Sequence, residues 1–340
     1  MKKNNALILK EARGLDGFEL KTLDYTKPKS TEVVVQIKAA GLNHRDVWIL
    51  KGQYANIVTP IILGSDGSGI VYEVGEEVSA DWLGKAVLIN PALEWGENPT
   101  VQHQNFRILG MPDNGTQAEF VTVPAVNIFE KPKYLTWEEA AAIPLAGLTG
   151  YRALFTQGRL KAGETVLLTG IGGGATVLMM QMALSLGAEV LVTSGSNQKI
   201  ERAIQLGALT GVNYLEKNWQ EKLRDIIGKK QIDLVVDSAG GPEFSELTSL
   251  VTPGGRIVFF GATAGNPTHL NLRQMYWKQI TLQGTTMGRP EEFIEMVRLF
   301  ESAHIKPVID SSSLLKDYQQ AYSRMINSTQ FGKIVFKMSQ

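Results

Sequence analysis

Four glycines crowd positions 170–174 in "VLLTGIGGGATVLMMQMALSLGAEVLVTSGS", which runs from Val166 to Ser196 between two apolar stretches. Gly170, Gly172 and Ala175 match the pattern G-x-G-x-x-G/A where a strand turns into a helix. The chemistry this suits is the binding of a pyrophosphate. Gly170 permits the tight turn, Gly172 lets the backbone approach the anion, and Ala175 is small enough for the helix to lie against the strand. Gly173 and Gly174 add room. The free N–H groups at the start of the helix expected over 174–187 would face the phosphates, helped by the helix dipole. A glycine-rich turn made only for packing is the bland alternative.

The end of the second apolar run carries no carboxylate. An NAD-binding unit usually places Asp or Glu there to take the ribose 2′-OH. This chain has Thr193, Ser194, Gly195, Ser196 and Lys199 instead. Two hydroxyls and an ammonium are donors for a 2′-phosphate, and nothing repels it. The expected cofactor is therefore NADP(H). Ser194 and Ser196 equally suit the cap of the next helix.

These residues need a scaffold, and the pattern around them supplies one. From Glu164 onward, apolar strands at 165–169, 189–193, 232–236 and 256–260, with weaker ones near 211–214 and 279–282, alternate with helical stretches at 174–187, 197–207 and 218–228. That alternation predicts a doubly wound parallel sheet, an α/β fold of the Rossmann type. Before Lys131 the texture differs. Short apolar runs such as "EVVVQIKAAG", with Val33, Val35 and Ile37 on one face, are separated by Gly and Pro and predict a small β-barrel or sandwich. Residues 91–112 show no period and read as an excursion from it. A helix is expected over 316–326, and "FGKIVFKM" as a final strand.

Composition narrows the classes. The 340 residues are 44% hydrophobic and 20% charged, enough for two ordinary domains. Basic and acidic residues balance at 34 each, which argues against a protein whose main task is gripping nucleic acid or an anionic membrane. No cysteine is present, so disulfides, thiolate nucleophiles and thiolate-bound metals drop out. The N-terminal "MKKNNALILKEARG" has too short an apolar core for a signal peptide, and no run reaches the length of a membrane helix. The expected location is cytoplasmic.

Together the segments "AAGLNHRDVWILKGQY" (39–54), "LGSDGSGIVYEVGEEV" (63–78), "EEAAAIPLAGLTGYRAL" (138–154), the glycine segment, "DLVVDSAGG" (233–241) and "PGGRIVFFGATAG" (253–265) resemble the zinc-free branch of the medium-chain dehydrogenase/reductase superfamily, the quinone oxidoreductase-like proteins. The resemblance covers nearly the whole chain. It implies a chaperonin-10-like β-barrel catalytic domain from 1–126 and 267–340, around a Rossmann domain at 127–266, with the cofactor in a cleft between them. It implies contacts to the pyrophosphate from Gly170 to Ala175. Ser194, Gly195, Ser196, Lys199 and Tyr214 would lie at the adenosine ribose phosphate. Thr149, Ala239, Gly240, Phe260, Gly261 and Ala262 would line the way to the nicotinamide. Relatives of this kind are dimers or tetramers, and an edge strand near 279–285 is where two copies would pair.

Zinc-dependent relatives carry Cys in a segment like "GLNHRD" and His-Glu in one like "GSDGSG"; here those places hold Asn43, Ser65 and Asp66. Asn and Ser are poor zinc ligands, so no metal is expected. His44 with Asp46 and Asp66 is the remaining conceivable ligand group, set against a His44 that merely packs; His103, His269 and His304 are isolated. Without a Lewis acid, hydride delivery to a quinone or to the β-carbon of an enone or enal is favoured, because the charge developing on oxygen then needs only a donor. Tyr54, in "KGQYANIVTP", is the candidate donor or else an aromatic lip. Asn43 and Asp46 would hold a donor, a water or the nicotinamide ribose, or simply stabilise their turn. Trp48, Trp95 and the 91–112 excursion would cover the pocket, or belong to the core. A zinc-independent carbonyl reductase or alcohol dehydrogenase is the nearest alternative. A nucleotide-sensing or RNA-binding protein without turnover is the alternative of another class.

Overall fold

A computed structural model describes residues 3–338. The chain divides into two compact units, Met1–Ala146 with Gly288–Gln340, and Gly147–Met287. Both boundaries fall about twenty residues later than the expected domain limits of 126 and 266, and local packing explains each. The short helix Trp137–Ala141 packs on the strands Glu32–Gly41 and Asp66–Val74 and so joins the first unit. Strand Thr281–Gly284 pairs in parallel with Val251–Phe259 and so stays with the second. Residues 1–2 and 339–340 of the expected barrel limits lie outside the described residues.

The second unit holds a six-stranded sheet in the order Thr210–Asn213, Glu189–Ser194, Thr165–Leu168, Ile232–Asp237, Val251–Phe259, Thr281–Gly284. Every pairing in it is parallel. Chain order reverses beside the first strand of the unit, Thr165–Leu168. That is the switch point at which a doubly wound sheet leaves room for a ligand. Thr165 to Leu168 are all buried, as strands covered on both faces must be. Helices Gly174–Leu186, Asn197–Gln205 and Trp219–Ile227 follow the strands close to the expected places. The first is apolar nearly all round, with Val177, Leu178, Met179, Met180 and Met182 buried. At the sheet's lower end Arg256 reaches Glu164 with both terminal nitrogens, at 3.0 and 2.6 Å, and donates from Nε to the Gly158 carbonyl.

The first unit is built on a seven-stranded sheet and a three-stranded one. Its central strand, Glu32–Gly41, pairs antiparallel with Asp66–Val74, Phe120–Pro124 and the C-terminal strand Lys333–Lys337. The final strand therefore does return to the N-terminal region. Val33, Val35 and Ile37 point into the main core of the unit with Leu7, Leu42 and Phe336; Val34 is buried too, outside that cluster. The excursion at 91–112 makes a small hairpin of its own, Ala92–Leu93 with Arg107–Ile108. Helix Tyr318–Ile326 buries Ala321, Tyr322 and Met325, the spacing read from the sequence, and Tyr322 exchanges hydrogen bonds with Gln117.

Candidate cofactor and acceptor sites

In the nucleotide unit the glycines sit where the strand Thr165–Leu168 hands over to the helix Gly174–Leu186. Gly170 and Gly172 have φ of 69° and 117°, a region that side-chain-bearing residues avoid. A Cβ on Gly172 would come within 2.6 Å of Lys199 Cδ and 3.1 Å of its Nζ. The ammonium thus lies directly over the bare turn, beside the helix start. Gly173 is the N-cap, and Gly174 and Ala175 form the first turn. This cradle, open because it lacks side chains and with a cation above it, fits a pyrophosphate-bearing cofactor.

Past the strand Glu189–Ser194, the hydroxyls are used locally. Ser194 Oγ donates to the Ile171 carbonyl at 3.2 Å and accepts from Ser196 N. Ser196 Oγ accepts from Lys199 N at 3.4 Å and so caps the helix Asn197–Gln205. The capping alternative is therefore realised, and Ser194, 4% exposed, is turned inward. Tyr214 is exposed, its hydroxyl close above Gly195. Thr149 is buried, with Oγ1 3.8 Å from Met287 Sδ.

Gly240, Phe260, Gly261 and Ala262 line a cavity of about 410 Å³, walled mainly by Phe244, Phe259, Leu270 and Leu282. Ala239 is adjacent: its N–H and that of Gly240 donate to Asp237 Oδ2. Asp237, at the end of its strand, also accepts from Thr169 Oγ1 at 2.5 Å. Burial raises its carboxyl above the usual range, against the pull of Thr169 and the two backbone donors. No role was assigned to Asp237 on sequence; the signal was a lone carboxylate closing an apolar strand before "SAGG".

In the first unit, Asn43 and Asp46 open the helix His44–Leu50. Asp46 Oδ2 accepts the Asn43 N–H at 2.9 Å, and Asp46 N–H donates to the Asn43 carbonyl. Asp46 is fully buried and its Oδ1 has no partner. Burial pushes its carboxyl up to about 6, with Asp66 adding to the rise and Asn43 N–H, Arg45 and Lys333 opposing it. Its observed task is the turn. His44 is exposed and rests against Trp48, ring centres 5.7 Å apart. Trp95 is buried, its indole N–H on the Asn98 carbonyl, so it belongs to the core.

Two cations complete the polar cluster of the first unit, and neither stood out in the sequence. Arg45, 8% exposed, spends all five N–H donors inside the protein: Nε on Tyr54 Oη at 3.3 Å, Nη1 on Ser65 Oγ and the Leu109 carbonyl, Nη2 on the carbonyls of Ile108 and Met111. The 91–112 excursion is thereby anchored to the helix His44–Leu50. Tyr54 is half-buried, with the guanidinium carbon 5.2 Å from its ring centre. Because its oxygen accepts from Arg45, its own proton remains available to another acceptor. Lys333 is 2% exposed, and its Nζ lies 2.6 Å from Asn43 Oδ1 and 2.8 Å from Asp66 Oδ2. Asn43 Nδ2 donates to the same Asp66 oxygen at 2.9 Å, and Leu145 N–H takes Asp66 Oδ1. A lysine inside an apolar closing strand was the only sequence signal for this ion pair. Among the described residues, no group of three or more His, Cys, Asp or Glu side chains is placed to hold a metal ion.

A barrel-type unit and a doubly wound sheet with a glycine cradle define the class: a two-domain nucleotide-cofactor oxidoreductase. Residues 29–133 match the family profile described as "Alcohol dehydrogenase GroES-like domain", and residues 173–302 the one described as "Zinc-binding dehydrogenase". The zinc-type alcohol dehydrogenase-like protein YogA of Leptosphaeria maculans is 32% identical, over 94% of each chain. The quinone oxidoreductase of Homo sapiens is 27% identical, over 89% of this chain and 87% of its own. A solved structure titled as an NAD-dependent alcohol dehydrogenase superposes with a TM-score of 0.93 at 34% identity, over 98% of this chain and 100% of that one. The chain belongs to the medium-chain dehydrogenase/reductase superfamily. It is an oxidoreductase of that superfamily, and no helix among its described residues is long and apolar enough to cross a membrane.

The zinc in the family description does not fit the donor set here. Ser65 Oγ is committed to Arg45 and the Leu109 carbonyl, Asn43 offers only an amide oxygen, and Asp66 is already paired. Tetrahedral zinc sites draw on thiolate and imidazole ligands.

Proposed function

We propose that this enzyme takes NADPH and reduces a quinone or an α,β-unsaturated carbonyl without a metal. The observation that carries the reading is the fate of the side chains at 43, 65 and 66, each held by a protein partner rather than presented as a ligand. A reaction run there must be one that needs no Lewis acid. When bound, the cofactor supplies a hydride; the acceptor's oxygen gains the electron pair and requires a proton. Tyr54 provides the donor, with Arg45 fixing the direction of its hydroxyl by occupying one of the oxygen's lone pairs. Asn43, its amide oxygen turned to Lys333, has one amide N–H left to hold substrate or ribose. Apolar walls of the kind at Phe260, Leu270 and Leu282 suit a flat acceptor or the nicotinamide ring.

The preference for NADPH rests on Lys199 over the glycine turn and on the missing carboxylate after Ser194. The cytoplasm, a reducing compartment, suits a chain without cysteine. A homodimer or homotetramer is supported by the edge position of Thr281–Gly284 and by the exposed Leu272, Tyr276 and Trp277 on the preceding helix. The competing reading, a zinc-independent alcohol dehydrogenase or carbonyl reductase, draws support from the names of the relatives. Quinones, enals, ketones and alcohols assayed in parallel separate the two. With the best acceptor, Tyr54→Phe should lower kcat by roughly 100-fold. An unchanged kcat removes Tyr54 as donor, and turnover confined to simple alcohols and ketones removes the reading itself.

A further inference from the structure

Two loops at the carboxyl end of the parallel sheet lie on one another in the nucleotide unit. Gly241 N–H donates to the Gly265 carbonyl at 2.7 Å, and Ala264 N–H to the Ala239 carbonyl at 2.8 Å. The fit leaves no room for side chains: a Cβ on Gly240 would stand 2.5 Å from the Gly265 oxygen, and one on Gly241 2.9 Å from Ala264 Cβ. Gly240 and Gly241 have φ of 64° and 74°, and glycine backbone does not hold such a turn in one shape unaided. Asp237, 3% exposed, holds it. Its Oδ2 accepts the N–H groups of Ala239 and Gly240 at 3.1 and 2.7 Å. Its Oδ1 accepts from Thr169 Oγ1 at 2.5 Å, a bond that spans the switch point between the strands Thr165–Leu168 and Ile232–Asp237. Thr169 immediately precedes Gly170, and its carbonyl accepts from Thr176 Oγ1 in the helix Gly174–Leu186 at 3.5 Å. One buried carboxylate therefore joins the glycine cradle to the turn that lines the apolar cavity.

We propose that Asp237 is a positioning residue that fixes the spacing between the pyrophosphate cradle and the turn 239–241, so that the two halves of a dinucleotide meet a preset pair of subsites. The inference rests on the nucleotide-binding part of the reading above and not on the acceptor. A dinucleotide gains over its separate halves only when both subsites are held at the spacing it can span; slack between them forfeits that gain without weakening either subsite. A carboxylate suits the task because it only accepts, and three donors converge on it. An amide can serve as well. With its oxygen on the two N–H groups and its nitrogen donating to Thr169 Oγ1, the threonine proton turns to the Val236 carbonyl, which lies 3.4 Å away. Alanine cannot serve, and it leaves both N–H groups without that acceptor.

The test uses the full-length chain and no acceptor. Wild type, Asp237→Ala and Asp237→Asn are titrated by calorimetry with a whole reduced dinucleotide and with adenosine diphosphate. The dinucleotide is whichever of NADPH and NADH wild type binds more tightly, so a preference for NADH, or an inability to reduce quinones, would count against the proposed function without touching this comparison. Asp237→Ala should weaken the dinucleotide by roughly 30-fold and adenosine diphosphate by less than about threefold. Asp237→Asn should bring the dinucleotide back to within about threefold of wild type. Equal losses for the two ligands would show a merely structural role, and unchanged dinucleotide binding would show that the turn needs no tie; either result overturns the assignment. A loss in Asp237→Asn as large as in Asp237→Ala overturns it too, because charge and not the placing of the turn would then be what counts. Binding of neither nucleotide by wild type would overturn both this inference and the reading it rests on. If Asp237→Ala does not fold, Thr169→Val keeps the side-chain shape and removes only the bond across the switch point. It should weaken the dinucleotide by roughly fivefold and leave adenosine diphosphate unchanged; dinucleotide binding equal to wild type would overturn the proposal.

Discussion

Asp46 gives the most direct physical test, because its environment is one-sided. The carboxyl is fully buried, one oxygen holds the Asn43 N–H, and the other has no partner. Its value of about 6 lies above the roughly 3.9 of an unfolded aspartate. The gap corresponds to about 3 kcal/mol of preference for the protonated form in the native state. The sign follows from proton counting. Between about pH 4 and about pH 6 the unfolded chain has released this proton and the folded chain still holds it, so stability falls as pH rises through that window and then levels off. Urea denaturation of wild type and Asp46→Asn, run in parallel from about pH 4 to about pH 7, isolates the term, since other carboxylates are common to both proteins. Relative to the variant, wild type should lose about 3 kcal/mol across the window. A difference that stays flat, or that grows in wild type's favour as pH rises, would refute the assignment of a raised, buried carboxyl.

Other tests address the cofactor half. Lys199→Ala should weaken the binding of both nucleotides through the shared pyrophosphate, and NADPH by roughly tenfold more than NADH, as read by nucleotide fluorescence titration; equal effects on both would end the case for 2′-phosphate recognition. Burial works to raise Glu164, but the two-pronged Arg256 contact and Lys161 N–H outweigh it and hold the carboxyl below its ordinary range. Glu164→Gln should therefore cost about 2 kcal/mol at neutral pH, a loss that disappears as pH drops below the unfolded carboxylate value and shows in the unfolding of the nucleotide unit.

Much of this protein was legible in one dimension. Strand and helix positions of the parallel sheet are encoded locally, because short continuous apolar runs and helices bounded by Gly and Ser carry their signal over a few residues. The glycine cradle was visible for the same reason: the left-handed backbone of positions 170 and 172 strongly favours glycine, and at 172 a side chain would also meet Lys199. The resemblance segments then supplied the domain plan, while the limits of each unit shifted because they depend on which sheet a short helix or edge strand packs against.

What tertiary structure alone decided is the state of each charge. No local pattern says that Arg45 will give every donor to oxygen atoms of residues 54–111, or that Ser194 will turn its hydroxyl to Ile171 rather than outward. Least of all does it say that Lys333 will meet Asp66 from the far end of the chain. Hydrophobic periodicity is a property of neighbours in sequence, whereas the pairing of a buried charge is a property of neighbours in space, and only folding brings those together.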